Sequence, residues 1–275
     1  MTETPSPTVR VECLVRRHDV TAPGGRVIPE ETPIAFTYGG STHAVMMATP
    51  SDLEDFAVGF ALTEGLVDAP EDAGDVEIVA SEAGVELRTW LKGDRQAAYA
   101  ARRRSMAGPT GCGLCGVESL EAATRSLPTL DNALTVPAEA LIEAMERLPG
   151  VQKINQETRA VHAAAFWSPA TGALTVREDV GRHNALDKLA GALARQSISA
   201  SQGVVLMTSR VSVELVQKAA RIGAPILAAV SAPTALAVRN AEKCGMTLVA
   251  VMRGRDFEVF THPGRILEQV SAHVA

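Results

Sequence analysis

Apolar and polar positions alternate over much of the first ninety residues, the period of strands with one buried face. Residues 9–17 alternate in this way. Residues 33–38 and 43–48 do so on either side of Gly39-Gly40, which predicts a hairpin. Another strand pair is predicted at 75–80 and 84–91. In between, Leu53, Phe56, Ala57 and Phe60 recur at helical spacing. Ser51 to Val67 therefore reads as a helix, with Asp52, Glu54 and Asp55 suited to the positive end of its dipole.

Further on the pattern changes. Val117 to Leu127 reads as a short amphipathic helix, and a second starts at Pro137 and stops near Leu148-Pro149-Gly150. Short Val- and Leu-rich runs then alternate with helical ones. Strands are predicted at 161–167, 173–178, 203–208, 225–230, 247–252 and 257–261. Helices are predicted at 183–195, 211–221, 234–244 and, closing the chain, 266–274. Such alternation implies βαβ units and a mostly parallel sheet covered on both faces. Ligands of such sheets bind beyond the carboxyl ends of the strands. That edge would carry Ser209-Arg210, Ser231-Ala232 and Arg253-Gly254-Arg255. The expected organisation is an N-terminal α+β portion, 1–110, followed by an α/β domain, 111–275.

Composition narrows the class. With 46% hydrophobic residues but only 4% aromatics, the core must be mainly Ala, Val and Leu. A formal net charge of -6 argues against bulk attraction to nucleic acid or an anionic membrane. The most apolar stretch, Ala224 to Val238, is interrupted by Pro225, Ser231, Pro233 and Thr234, so no membrane span is expected. Met1 to Arg17 lacks the apolar run of a secretory signal, and a cytoplasmic protein is expected. Residues 88–104 hold six basic side chains (Arg88, Lys92, Arg95, Arg102, Arg103, Arg104) against Asp94 alone. With Gly108, Pro109 and Gly111 following, 92–111 reads as a mobile basic loop, or as a plain solvated linker.

Four cysteines in a reducing compartment do not make a disulfide framework. Cys13 and Cys244 sit in apolar contexts and read as core residues. Cys112 and Cys115 differ. They lie in Gly111-Cys-Gly-Leu-Cys-Gly116, where glycines let the backbone turn tightly before a helix start. A helix N-terminus stabilises a thiolate, but that alone explains little. Lowering a thiol pKa from about 8.5 to about 6.5 raises the thiolate fraction near pH ~7.5 by roughly tenfold. Intrinsic nucleophilicity falls by about eightfold over the same shift. An exposed, deliverable sulfur is the better rationale. Half of a structural zinc site, a dithiol redox pair and simple packing also remain open. The zinc reading lacks a second ligand pair, and the dithiol motif stands far from the usual place near a chain start.

Two more groups of residues carry candidate chemistry. Glu178-Asp-Val-Gly-Arg-His-Asn-Ala-Leu-Asp-Lys188 places Arg182 and His183 at a helix start beside a flexible glycine. A capped helix, with Asp179 or Asn184 as the cap and Asp187-Lys188 exposed, explains part of it. An anion or proton-transfer site explains the rest. Arg253-Gly-Arg255 and Ser209-Arg210 pair guanidinium groups with a turn or a helix start, a combination suited to phosphate oxygens. No G-x-G-x-x-G or Walker sequence accompanies them, which disfavours ordinary NAD or ATP use.

Taken together, these segments, with Thr208-Ser-Arg-Val-Ser-Val-Glu-Leu-Val-Gln-Lys218 and Thr261-His-Pro-Gly-Arg-Ile266, resemble the FdhD family of formate dehydrogenase accessory sulfurtransferases. The resemblance implies a cytidine-deaminase-like three-layer α/β/α core with an added N-terminal portion, and a homodimer. It implies that sulfur is accepted from a cysteine desulfurase and passed to molybdenum bis(molybdopterin guanine dinucleotide), which then activates the formate dehydrogenase apoenzyme. Cys112 matches the persulfide-forming cysteine and Cys115 its partner. Val251, Met252, Arg253, Gly254, Arg255, Asp256 and Phe257 match the region that holds the cofactor. The segment Thr158-Arg159-Ala160-Val161-His162 departs from the family's Thr-Gly-Gly before its histidine. The deaminase zinc signature is also broken, since Ala164 stands where its Glu would be, so no zinc is expected.

Overall fold

The computed structural model describes residues 3–97, 99 and 127–268. Strands β1 (Thr8–Arg17) and β2 (Val20–Pro29) form a free-standing antiparallel ribbon, turned by His18 and Asp19 in the left-handed region. The hydrophobic pattern identifies β1 but not β2, because Pro23-Gly24-Gly25 interrupts its alternation. A ribbon whose outer edges pair with no further strand among the described residues can accept that proline. Cys13, expected in a core, is exposed on this ribbon, whereas Cys244 is buried as expected.

Next come β3 (Thr32–Tyr38), β4 (Ser41–Ala48), α1 (Leu53–Thr63), β5 (Val76–Ser81) and β6 (Gly84–Thr89). The four strands form one sheet in the order β4-β3-β6-β5, with β3 and β6 parallel. Its inward side chains, Ile34, Phe36, Tyr38, Val85 and Leu87, share a core with α1. The Phe36 ring stacks on Phe60 at 4.0 Å and meets Phe56 edge-on at 4.8 Å. Helix α1 is shorter than the expected 51–67. Asp52 enters it from the left-handed region, and Gly65, at φ +67°, ends it soon after Glu64.

The rest of the chain runs β7 (Val136–Pro137), α2 (Ala138–Arg147), α3 (Lys153–Thr158), β8 (His162–Trp167), β9 (Leu174–Asp179), α4 (Arg182–Arg195), β10 (Val204–Met207), α5 (Val213–Arg221), β11 (Ile226–Ala229), α6 (Ala235–Cys244), β12 (Thr247–Arg253), β13 (Asp256–Thr261) and β14 (Ile266–Leu267). Six strands form a sheet in the order β13-β12-β11-β10-β8-β9. It is mixed rather than mostly parallel. Only β10-β11 and β11-β12 are parallel pairs. The pairs β8-β9 and β12-β13 are joined by short turns, and such a turn can only return the chain antiparallel. Helices α4, α5 and α6 pack on one face through Leu186, Leu189, Leu215, Val216, Ala237 and Ala241. Helix α2 packs on the other through Leu141, Ala144 and Met145. The expected closing helix at 266–274 is not formed where it is described: Ile266–Leu267 pairs in parallel with Val136–Pro137 instead. The remainder of that segment, and the helix expected at 117–127 up to residue 126, lie outside the described residues.

The two layers meet where α1 crosses α4. A Cβ on Gly59 would lie 1.7 Å from the Asp187 carbonyl oxygen, and one on Gly191 would lie 1.8 Å from that of Asp55. The two helix backbones therefore touch. Asp55 of α1, itself buried, receives Arg177 from β9 and Arg195 from α4, and this fixes the crossing.

Candidate functional site: the carboxyl edge of the mixed sheet

Register determines what shares an edge. Strands β10, β11 and β12 all end on one side of the sheet. Strand β8 runs opposite to β10 and so begins there, and β9 ends there, with His162 opposite Asp179. The Thr208 hydroxyl, just past β10, accepts from the Ala163 amide at 2.8 Å. A bridge between Val211 and Pro233 extends the edge beyond the strands. Helices α4, α5 and α6 consequently all start at this edge, with Gly181, Ser212 and Thr234 as their first flanking residues. Thr234 caps α6 by accepting from the Ala237 amide. The starts of α4 and α5 have no side-chain cap. Ser212 Oγ instead faces His183 Nε2 at 3.1 Å and ties the two helix starts together.

The turn that presents Arg182 and His183 is held from below. Asp179 Oδ1 accepts from the Gly181 amide (2.7 Å) and Asn184 Nδ2 (3.0 Å). Its Oδ2 accepts from the Thr49 amide (3.0 Å) and pairs with Lys188 Nζ (2.7 Å). Lys188 also donates to the Thr49 carbonyl at 2.7 Å. Neither Asp179 nor Asn184 caps α4. They brace the loop, and Asp187 and Lys188, expected to be exposed, are almost completely buried. Asp187 joins a second buried knot with Lys218, Thr63 and Glu64. Burial opposes the charge of Lys218, but Asp187 and Glu64 outweigh it and push the lysine pKa up to about 12. Glu178 accepts from the Ile154 and Asn155 amides at the start of α3, both at 2.9 Å. In the 178–188 segment the acids and the lysine are thus structural, which leaves Arg182 and His183 as its candidate site residues.

These two are half-buried. Arg182 Nε is shielded from water and has no hydrogen-bond partner among the described residues. Such an atom loses its hydration for nothing unless something binds it. His183 is held neutral: burial and the neighbouring Arg182 cation lower its pKa to about 4, against a smaller upward pull from Glu214. His162 is lowered as well, by burial first and then by Arg182. Arg210 is exposed on the same edge. Ser209 turns inward and donates to the Arg210 carbonyl oxygen at 2.9 Å. Two uncapped helix N-termini, Arg182 and Arg210 make this edge a place for an anion. Thr208 and Glu214 lie in the 208–218 segment that carries the family resemblance, but sequence reasoning gave neither of them a role and left His162 without one. Their place follows from strand register alone.

The hairpin between β12 and β13 stands on the same edge, two strands from β10 and hence about 10 Å across the sheet. Gly254, at φ +56°, makes its tip, where Arg253 pairs in register with Asp256. Arg253, Gly254, Arg255 and Asp256 are exposed, and Arg255 forms an ion pair with Glu139 of α2. Met252 and Phe257 point into the core beside α2, so ligand contacts at this hairpin fall to its arginines and backbone. Val251 sits at φ +57° where the register slips. A β-branched residue rarely adopts that conformation, which marks the hairpin as a strained segment. Cys112 and Cys115 lie outside the described residues.

The fold and this edge define an α/β protein whose mixed sheet presents Arg182, Arg210 and two helix starts at its open end. The FdhD/NarQ family model matches residues 29–267. A sulfur carrier protein FdhD of Agrobacterium fabrum (strain C58) is 53% identical over 259 residues, covering 94% of this chain and 96% of the relative. The protein of the same name from Xanthomonas campestris pv. campestris (strain B100) is 48% identical over 276 residues, covering 97% and 96%. A crystal structure described as that of a candidate formate dehydrogenase accessory protein, from Desulfotalea psychrophila, superimposes with a TM-score of 0.75 at 26% identity, covering 94% of this chain and 99% of that one. The chain belongs to the FdhD/NarQ family. Among the described residues no helix is long and apolar enough to cross a membrane.

Proposed function

We propose that this protein is a persulfide-forming sulfurtransferase of the cytoplasm that serves a formate dehydrogenase. Cys112 takes a sulfur atom from the persulfide of a cysteine desulfurase, becoming Cys112–S–SH and leaving the donor as a thiolate. The acceptor is molybdenum bis(molybdopterin guanine dinucleotide), bound as cargo before insertion into the apoenzyme. In the first delivery route the Cys115 thiolate attacks the Cys112 sulfur. A Cys112–Cys115 disulfide forms, hydrosulfide leaves toward molybdenum, and a thiol reductant restores the pair. In the second route the terminal sulfur passes directly, with Cys115 in support. The relatives' names support the sulfur-carrying half of this reading.

The cargo half rests on one observation, the buried and unpartnered Nε of Arg182 beside two uncapped helix starts. A guanidinium so placed fits the phosphate oxygens of a guanine dinucleotide. Arg210 and the Arg253–Arg255 hairpin stand on the same edge for a ligand that spans several phosphates. His183, being neutral, can donate to or accept from such a ligand without adding charge.

The test is incubation with a desulfurase and cysteine, followed by mass spectrometry. One added sulfur atom is expected on the peptide carrying Cys112 and Cys115, and none after Cys112→Ala. No added sulfur in the unaltered protein defeats the proposal. Cys115→Ala separates the two routes. The same arginine-bearing edge also suits a second reading, a chaperone that holds the cofactor without moving sulfur. Formate dehydrogenase maturation that survives replacement of both cysteines selects it.

A further inference from the structure

The ribbon β1-β2 stands apart from the rest of the fold. It is ten residue pairs long, and among the described residues its edges join no other strand. Among the described residues its root is fastened by Arg26, which donates to the Thr158 carbonyl of α3 at 3.3 Å, while the Glu30 amide closes the ribbon's own base on the Pro7 carbonyl at 2.9 Å. A lone two-stranded ribbon is marginal in water.

Its faces are unequal. Register puts Val9, Val11, Cys13 and Val15 on one face with Ile28, Gly24, Ala22 and Val20. Only Arg17 and Arg26 break that face. The other carries the charges of Arg10, Glu12 and Arg16 among Leu14, itself 75% exposed, Val27, Pro23 and Pro29. Among the described residues the apolar face is open toward its tip, where Val20 is 68% exposed and Cys13 is exposed; nearer the root Val9 is 40% exposed, Val11, Val15 and Ile28 are half-buried, and Arg26 reaches α3. One-sided alternation of this kind describes a strand pair that packs on something.

We infer that the apolar face of this ribbon packs on the body of a second copy of this chain, each copy lending its arm to the other. Charge and area favour that occupant. Four arginines and two acids in residues 8–29 give the arm a formal +2, which leaves the remainder of a -6 chain at -8. The arm of one copy is thus attracted to the body of another. Ten residue pairs span about 34 Å, and a two-stranded face about 10 Å wide covers roughly 340 Å². Two exchanged arms with their two seats then bury roughly 1,400 Å² in all, the size of a stable specific interface. Exchange in both directions also closes the assembly at two copies.

The inference rests on the homodimer implied by the family and assigns its contact surface. Leu14 and Val15 are neighbours in sequence on opposite faces of the ribbon, and they provide the test. In analytical ultracentrifugation the full-length protein is expected to sediment at twice 28.9 kDa. Val15→Asp should weaken the dimer by roughly 100-fold or more, since it places a charge in an apolar contact. Leu14→Asp should leave it intact. A dimer that survives Val15→Asp overturns the arm assignment alone, as does a dimer lost equally in both variants. A full-length protein that is monomeric up to about 100 μM, well above the Kd of a specific interface of this size, overturns the homodimer reading with it and leaves the face to another partner. Should Val15→Asp fail to fold, alkylation of the unaltered protein decides. Cys13 lies on the packed face, so its labelling, mapped by mass spectrometry, must slow as protein concentration rises through dimerisation, and labelling independent of concentration refutes the inference.

Discussion

Replacing Lys188 by Met removes one charge from the most buried ion pair of the fold. Lys188 and Asp179 side chains are both fully shielded from water, with Nζ 2.7 Å from Oδ2. Methionine keeps most of the side-chain volume but loses the ammonium that lies over the Phe56 ring, 5.3 Å from its centroid. What remains is a buried carboxylate with three neutral donors, the amides of Thr49 and Gly181 and the side chain of Asn184. The Thr49 carbonyl also loses its donor. Breaking a buried pair from one side typically costs about 3–5 kcal/mol. With an m-value of about 3 kcal/mol per M, the urea midpoint should fall by roughly 1 M or more. Because Asp179 braces the turn, hydrogen exchange at the Gly181 amide should also accelerate. Adding Asp179→Asn removes the stranded charge, and the double variant should be more stable than Lys188→Met alone. A loss below about 1 kcal/mol for the single variant, or no recovery in the double one, refutes the view that this pair holds the turn.

Three further outcomes follow from the same geometry. His183 has a folded pKa lowered to about 4, so the unfolded chain binds its proton more readily. Its contribution to stability is complete above about pH 6.5, the ordinary histidine value, and is lost as pH falls toward 4. Denaturation between these limits should show that slope, and His183→Gln should flatten it. Gly59→Ala should destabilise the protein by about 2 kcal/mol or more in thermal or urea unfolding, because its methyl group would overlap the Asp187 carbonyl and push α1 off α4. Arg182→Ala should weaken binding of GDP, measured by calorimetry, by roughly 10-fold or more with little change in unfolding midpoint, the loss of one charge-assisted bidentate contact.

Much of the fold is legible in the hydrophobic pattern. The hairpin around Gly39-Gly40, the strand pair 76–89 and the alternation after residue 161 emerge close to their observed limits, because each buries one face of a regular element and periodicity records that face directly. The sequence also marks Arg182 and His183 as chemistry-bearing and joins the chain to its family through motifs. It does not reveal that Asp187 and Lys188 are buried, since their partners Thr63, Lys218, Thr49 and Asp179 come from other elements. The same limit hid the backbone contact of Gly59 with α4 and the role of β2, whose proline and glycines look like a loop until β1 lies beside them. Strand direction was beyond it too. Three strand pairs of the main sheet are antiparallel, and that arrangement, rather than any local signal, brings His162 and the start of α4 to the edge where β10 ends. Local periodicity fixes which face of an element is buried, while long-range pairing alone decides which elements, and so which charges, come to share a site.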